Sequence, residues 1–120
     1  MRVIVALQAL LAKEESLFRA QLLREDIARL TRLQALAREA SDLPGFKKAG
    51  KRIGWTQADA RTQELSQPLD RLLELVYRSE TGPADEALEA DIETAWAALH
   101  RLRMERLVGC LSTPVPRPDA

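Results

Sequence analysis

Residues 1–43 read MRVIVALQALLAKEESLFRAQLLREDIARLTRLQALAREASDL, and they contain neither glycine nor proline. Leucine, alanine, arginine, glutamate and glutamine dominate them, the residues that lose least side-chain freedom in a helix. Apolar side chains recur at Leu7, Leu10, Leu11, Phe18, Leu22, Leu23, Ile27, Leu30, Leu33 and Ala37, mostly three or four apart, which draws one stripe along a helical cylinder. Glu15 with Arg19 and Glu25 with Arg29 stand one helical turn apart and support the same geometry. The stretch predicts one long helix over residues 4–40, stopped by Ser41, Asp42 and the extended backbone that Pro44 imposes on Leu43.

Beyond it, residues 41–55 (SDLPGFKKAGKRIGW) hold three of the five glycines and set Lys47, Lys48, Lys51 and Arg52 against a single acid, so they read as a connection. Thr56 with Asp59 approximates a capping box and opens a middle helix that reaches about Glu80, repeating Leu65, Leu69, Leu72, Leu73 and Val76. Pro68 inside it predicts a kink or a break, with Ser66 and Gln67 available to cap a fresh helix. Gly82 and Pro83 mark a turn, with Asp85 and Glu86 complementing the dipole of a last helix that runs to about Cys110. Its seam is Leu88, Ile92, Ala95, Leu99 and Leu102, with Trp96 and Leu107 alongside. Trp96, Tyr77 and Phe18 are expected in the core. Ser112–Ala120, with three prolines, reads as an extended tail. The expected fold is therefore all-α: one domain over 1–111, an antiparallel three- to four-helix bundle with a long N-terminal helix and a proline-kinked middle helix, followed by a flexible tail over 112–120.

A chain of 120 residues buries a core without disulfides, and 46% hydrophobic with 30% charged residues at zero net charge excludes a disordered tail protein or a polybasic coat. The neutrality is segmental: residues 1–40 carry +2, 41–55 carry +3, 56–80 carry −2 and 81–111 carry −3. Helices of opposite sign are expected to pack together. The one cysteine, Cys110, lies among apolar neighbours and suggests a buried thiol in a reducing compartment. Residues 1–12 distantly suggest a signal peptide, but Gln8 interrupts the apolar run, no small-x-small pair follows, and no stretch approaches a membrane span. A cytoplasmic location is expected.

The catalytic inventory is thin. His100 has no second histidine to share a metal, and it is expected to be structural. The pairs Glu14/Glu15, Glu25/Asp26 and Asp85/Glu86 are adjacent, so their side chains diverge around a helix and are expected on solvated faces or at helix starts. Gly45, Gly50 and Gly54 are too far apart to cradle a phosphate. No catalytic residue, metal, cofactor or small-molecule substrate is expected. The string Ile53-Gly54-Trp55-Thr56-Gln57-Ala58-Asp59 resembles the start of the second helix in phage-repressor-like helix-turn-helix domains, but no recognition-helix pattern follows it.

Length then points to a partner. A helix over 4–40 spans about 55 Å, against a diameter near ~35 Å for a compact chain of this size. Either the helix breaks near Ser16 or Thr31 and folds back into a closed four-helix monomer, or its apolar stripe projects and needs covering. The second case predicts a homodimer or a protein partner, with Leu22, Leu23, Ile27 and Leu30 as the contact stripe and an adaptor, chaperone or regulatory subunit as the function. The alternative is a nucleic-acid-associated subunit in which Lys47, Lys48, Lys51 and Arg52, with Trp55 for stacking and Arg19, Arg24, Arg29 and Arg32 of the first helix, hold phosphates.

Overall fold

The computed structural model describes the backbone of residues 1–53 and 63–112, and the side chains of 1–53 and 65–105. The described residues form an all-α bundle of five helices: α1 Arg2–Lys13, α2 Leu17–Glu39, α3 Leu43–Gly50, α4 Gln63–Thr81 and α5 Glu86–Ser112. The expected helix start at Thr56, the side chains of Trp55 and Cys110 and the tail beyond Ser112 lie outside them.

The long first helix is two helices. The chain is extended at Glu14 and Ser16, and the Ser16 hydroxyl accepts from the Arg19 backbone N–H, a Ser N-cap that begins α2. The Glu14 side chain accepts in turn from the Ser16 N–H, and the Glu14 N–H closes α1 on the Leu11 carbonyl. No large apolar side chain stands between Leu11 and Leu17, so breaking here costs no core contact. It lets Val3, Ile4 and Leu7 fold back onto the same interior as Leu23, Leu30 and Leu33. The length mismatch that called for a covering second copy disappears with the break.

The connection is also partly helical. Asp42 caps α3 by accepting from the Gly45 N–H, and Pro44 occupies its first turn, where a missing N–H costs nothing. Phe46 is fully buried, with its ring 5.5 Å from that of Tyr77 on α4. At Gly50, α3 approaches so closely that a Cβ would lie 2.8 Å from Leu73 and 3.1 Å from Leu33.

Helix α4 runs through Pro68 as one element, so of the kink or break expected there the break does not occur. It is the central helix: Leu65, Leu69, Leu72, Leu73, Leu75 and Val76 are buried, and it packs on α2, α3 and α5. Asp85 starts α5, its side chain accepting from the Ala87 N–H, and α5 buries Ile92 and Leu99 of the expected seam and Trp96 alongside it.

The oppositely charged segments do pair. Arg2 meets Glu93, Arg38 meets Glu80, and Lys47 and Lys51 both meet Asp70. The first of these pairs sets the start of α1 beside the start of α5, so the two helices run in the same direction while α2 and α4 run opposite to them.

Candidate functional site

Along α2 the buried positions are Ala20, Leu23, Asp26, Leu30, Leu33 and Ala37, a core stripe in which one member is a carboxylate. Asp26 is only 1% exposed. The expectation that the pair Glu25/Asp26 diverges onto solvated faces or marks a helix start therefore fails for Asp26. Three or four residues separate it from Leu23 and Leu30, which turns it inward, while Glu25 stays at the margin and reaches Arg29.

An unpaired carboxylate at this depth would be strongly destabilising, and the chain surrounds it with donors. Trp96 Nε1 donates to Oδ2 at 3.1 Å, and Arg29 and Arg103 each donate from Nη1 to Oδ1 at 3.0 Å. His100 Nδ1 lies 3.7 Å from Oδ2, an electrostatic contact beyond hydrogen-bond length, and its ring stacks on Trp96 with centroids 4.7 Å apart and planes 15° from parallel. Trp96, His100 and Arg103 are spaced four and three along α5, so one helical face supplies them all. Burial pushes the Asp26 carboxyl up. The contact with His100, the guanidinium charges of Arg103 and Arg29 and the Trp96 N–H outweigh it and hold the pKa below the usual aspartate value.

A groove of about 360 Å³ opens over this cluster. Leu10 and Glu14 come from the end of α1, Arg19, Leu22 and Leu23 from the start of α2, and Trp96, His100 and Met104 from α5. The α1–α2 corner leaves large apolar side chains in water: Leu17 is 86% exposed, Phe18 52% and Leu10, itself on the groove wall, 53%. Phe18, expected in the core, stands outside it because the break at Ser16 starts α2 on a new rotational phase. A second cleft, about 380 Å³ between α4 and α5, is walled by Ala95, Ala98 and Pro68 with Arg71 and Asp91, and contains no buried polar group.

The residues singled out from the sequence are dispersed. Leu23 and Leu30 belong to the chain's own core, Leu22 and Ile27 are half-buried, and of the four Leu22 and Leu23 line the groove. In the basic segment, Lys47 and Lys51 lie 3.4 and 3.1 Å from Asp70. Lys48 and Arg52 are exposed, and Trp55 lies outside the described residues. Among the basic residues of the first segment, Arg29 is committed to Asp26, while Arg19, Arg24 and Arg32 are exposed. Among the described residues no three His, Cys, Asp or Glu side chains are grouped to hold a metal ion, and no helix is long and apolar enough to cross a membrane.

Compared with known proteins, the chain matches no family model, no curated protein and no solved structure.

Proposed function

We propose that the chain is a non-enzymatic protein-interaction module, an adaptor, chaperone or regulatory subunit, that engages its partner through the apolar corner between α1 and α2 and the groove beside it. The observation that carries this reading is the exposure of Leu10, Leu17 and Phe18 at that corner, with Leu10 also on the groove wall. Burying a Leu or Phe side chain is worth about 1.5–3 kcal/mol, so covering this corner supplies a substantial association energy. Contiguous apolar exposure next to a concave apolar wall is the surface character of a docking site. Asp26 fits this reading as a counter-ion: both oxygens already accept from the chain's own donors, which leaves it holding α2 to α5 beneath the groove. The nucleic-acid reading has less support, because Lys47 and Lys51 share Asp70, which offsets one of their two charges, and affinity for phosphates grows with the number of free cations.

The test is affinity capture with the full chain from its own host, native against a Leu17→Glu/Phe18→Glu variant of the same helical content. A partner held by the native protein and lost by the variant supports the reading. Retention of every captured protein by the variant overturns it.

A further inference from the structure

We propose that the corner at residues 14–16 is a hinge, and that two copies of this chain exchange α1 by straightening α1 and α2 into one continuous helix. Each α1 then docks on α2 and α5 of the other copy, where its own copy's α1 docks in the closed form. The exchange goes beyond the docking reading above and does not depend on it.

Local and tertiary preferences disagree at this corner. Residues 1–43 hold no glycine or proline, and Glu14 and Glu15 are good helix formers. The chain nevertheless leaves the helix there, with Glu14 at φ −80°, ψ 122° and Ser16 at φ −75°, ψ 122°. Both conformations are ordinary extended backbone that any residue adopts, so the backbone itself does not lock the bend. Two side chains hold it: the Glu14 carboxylate accepts from the Ser16 N–H at 3.1 Å, and the Ser16 hydroxyl accepts from the Arg19 N–H at 3.4 Å. A straight helix would instead give each N–H from Glu14 to Arg19 a carbonyl four residues back.

What opposes straightening is the interior. Val3, Ile4 and Leu7 are buried, the Arg2 guanidinium meets Glu93, and the Arg2 N–H donates to Glu89. None of these contacts requires α1 to belong to the same chain as α2 and α5. An α1 arriving from a second copy makes them all, so reciprocal exchange keeps both cores and relieves the bend twice. The connection is too short to let α1 wander while staying bent, which is the condition under which exchange competes with closure.

The exposed corner fits the same exchange. Leu17 and Phe18 follow Leu10 by seven and eight residues, so straightening sets the three on one face of the continuous helix. Two reciprocally exchanged helices pass each other antiparallel at the hinge, and there these faces meet and leave water. Lys13 and Arg19 are balanced by Glu14 and Glu15, so no net charge opposes the approach.

The experiment measures the mass of the full chain by light scattering after refolding from urea over a range of concentrations. The native chain is expected to pass from monomer to dimer as concentration rises. Glu14→Ala/Ser16→Ala removes both acceptors that hold the bend. Loss of a helix cap favours the straight form about fivefold, so with two hinges per dimer the association constant should rise about twenty-five-fold. Glu15→Pro should do the opposite: a proline forbids the continuous helix, and the residue before it already has the extended geometry that proline demands. It should stay monomeric with native helical content, while leaving Leu10, Leu17 and Phe18 in place.

Exchange is separated from simple association by Arg2→Cys/Glu93→Cys in a Cys110→Ser chain, which has no other cysteine. Treated with a short bis-maleimide, the dimer fraction should give covalently joined chains on a denaturing gel, because residue 2 of one copy faces residue 93 of the other. Links confined within each chain of that fraction would show closed monomers associating by their corners and would overturn the exchange. An alanine pair that stays monomeric at every concentration would overturn it as well, whether or not Glu15→Pro folds. So would a folded Glu15→Pro chain that dimerises as the native one does. The capture by the Leu17→Glu/Phe18→Glu variant is read separately, so the docking reading stands or falls on its own.

Discussion

Two carboxylates in this bundle hold cations across helix boundaries, and they do so under opposite conditions. Asp26 is 1% exposed and ties α2 to α5 through Trp96, Arg103 and His100, with Arg29 closing the cluster from its own helix. Asp70 leaves 43% of its side chain in water and ties α4 to α3 through Lys47 and Lys51. The same type of group is therefore an obligatory counter-ion in one place and a solvent-screened contact in the other. Burial, far more than the number of ion pairs drawn, decides what each contributes.

Asp26→Ala separates the two most sharply. Removing the shared acceptor leaves two guanidinium groups and the Trp96 N–H without it in a largely apolar layer. Loss of one member of a buried ionic cluster costs about 3–5 kcal/mol, and the cost here falls near the lower end because Arg29 and Arg103 can turn outward. Urea denaturation should give a loss of about 3 kcal/mol, with Trp96 emission shifting to the red as its N–H partner disappears. A loss below about 1 kcal/mol would place Asp26 in the same class as an exposed ion pair.

Acid sharpens the comparison. The Asp26 carboxyl titrates lower in the folded chain than in the unfolded one, where an aspartate has a pKa near ~3.9. Its contribution is therefore complete above that unfolded value and is lost as pH falls through the folded one. The stability gap between the native chain and Asp26→Asn is expected to be constant from neutral pH down to about pH 5 and to close progressively below it, because both proteins are then uncharged at this position. A gap that widened on acidification would show that Asp26 is protonated in the folded state at neutral pH.

These two regions also differ in how far they could be read from the chain. The α4–α5 pair was legible: Leu65, Leu69, Leu72 and Val76 repeat at helical spacing, the Ile92–Leu99 seam does the same, and Gly82 and Pro83 punctuate the turn between them. The break at Ser16 was obscured because helix-favouring residues surround it on both sides. Its signal was the interval from Leu11 to Leu17 without a large apolar side chain, followed by a residue that caps better than it propagates. Helix α3 was hidden by its glycines and lysines, although Asp42 followed by Pro44 is a helix opening and Phe46 and Gly50 share a face toward α4. Asp26 was hidden by Glu25. Taken as a pair they read as surface charge, whereas position 26 taken against Leu23 and Leu30 falls on the core stripe, with Trp96, His100 and Arg103 spaced on α5 to meet it. A polar residue in an apolar register calls for a search of the other helices for donors at matching spacing. The groove could not be read at all, because it exists only once α1 has folded back beside α5.

The smallest expected effect lies at Asp70. Burial raises its carboxyl pKa, and the contacts from Lys51 and then Lys47 outweigh that and lower it, the same direction as at Asp26. The shared direction does not imply a shared energy, because water screens Asp70 and both lysines can stretch into solvent when it is removed. What holds α3 in place is the buried Phe46 and the close approach at Gly50, and neither depends on charge. Asp70→Ala should therefore cost under about 1 kcal/mol, and much of that should vanish at molar salt, where the screening length falls to about 3 Å. Asp26→Ala should retain most of its effect in the same salt. A loss at Asp70 comparable to that at Asp26, or one insensitive to salt, would mean that the lysines anchor α3 and would overturn the ranking by burial.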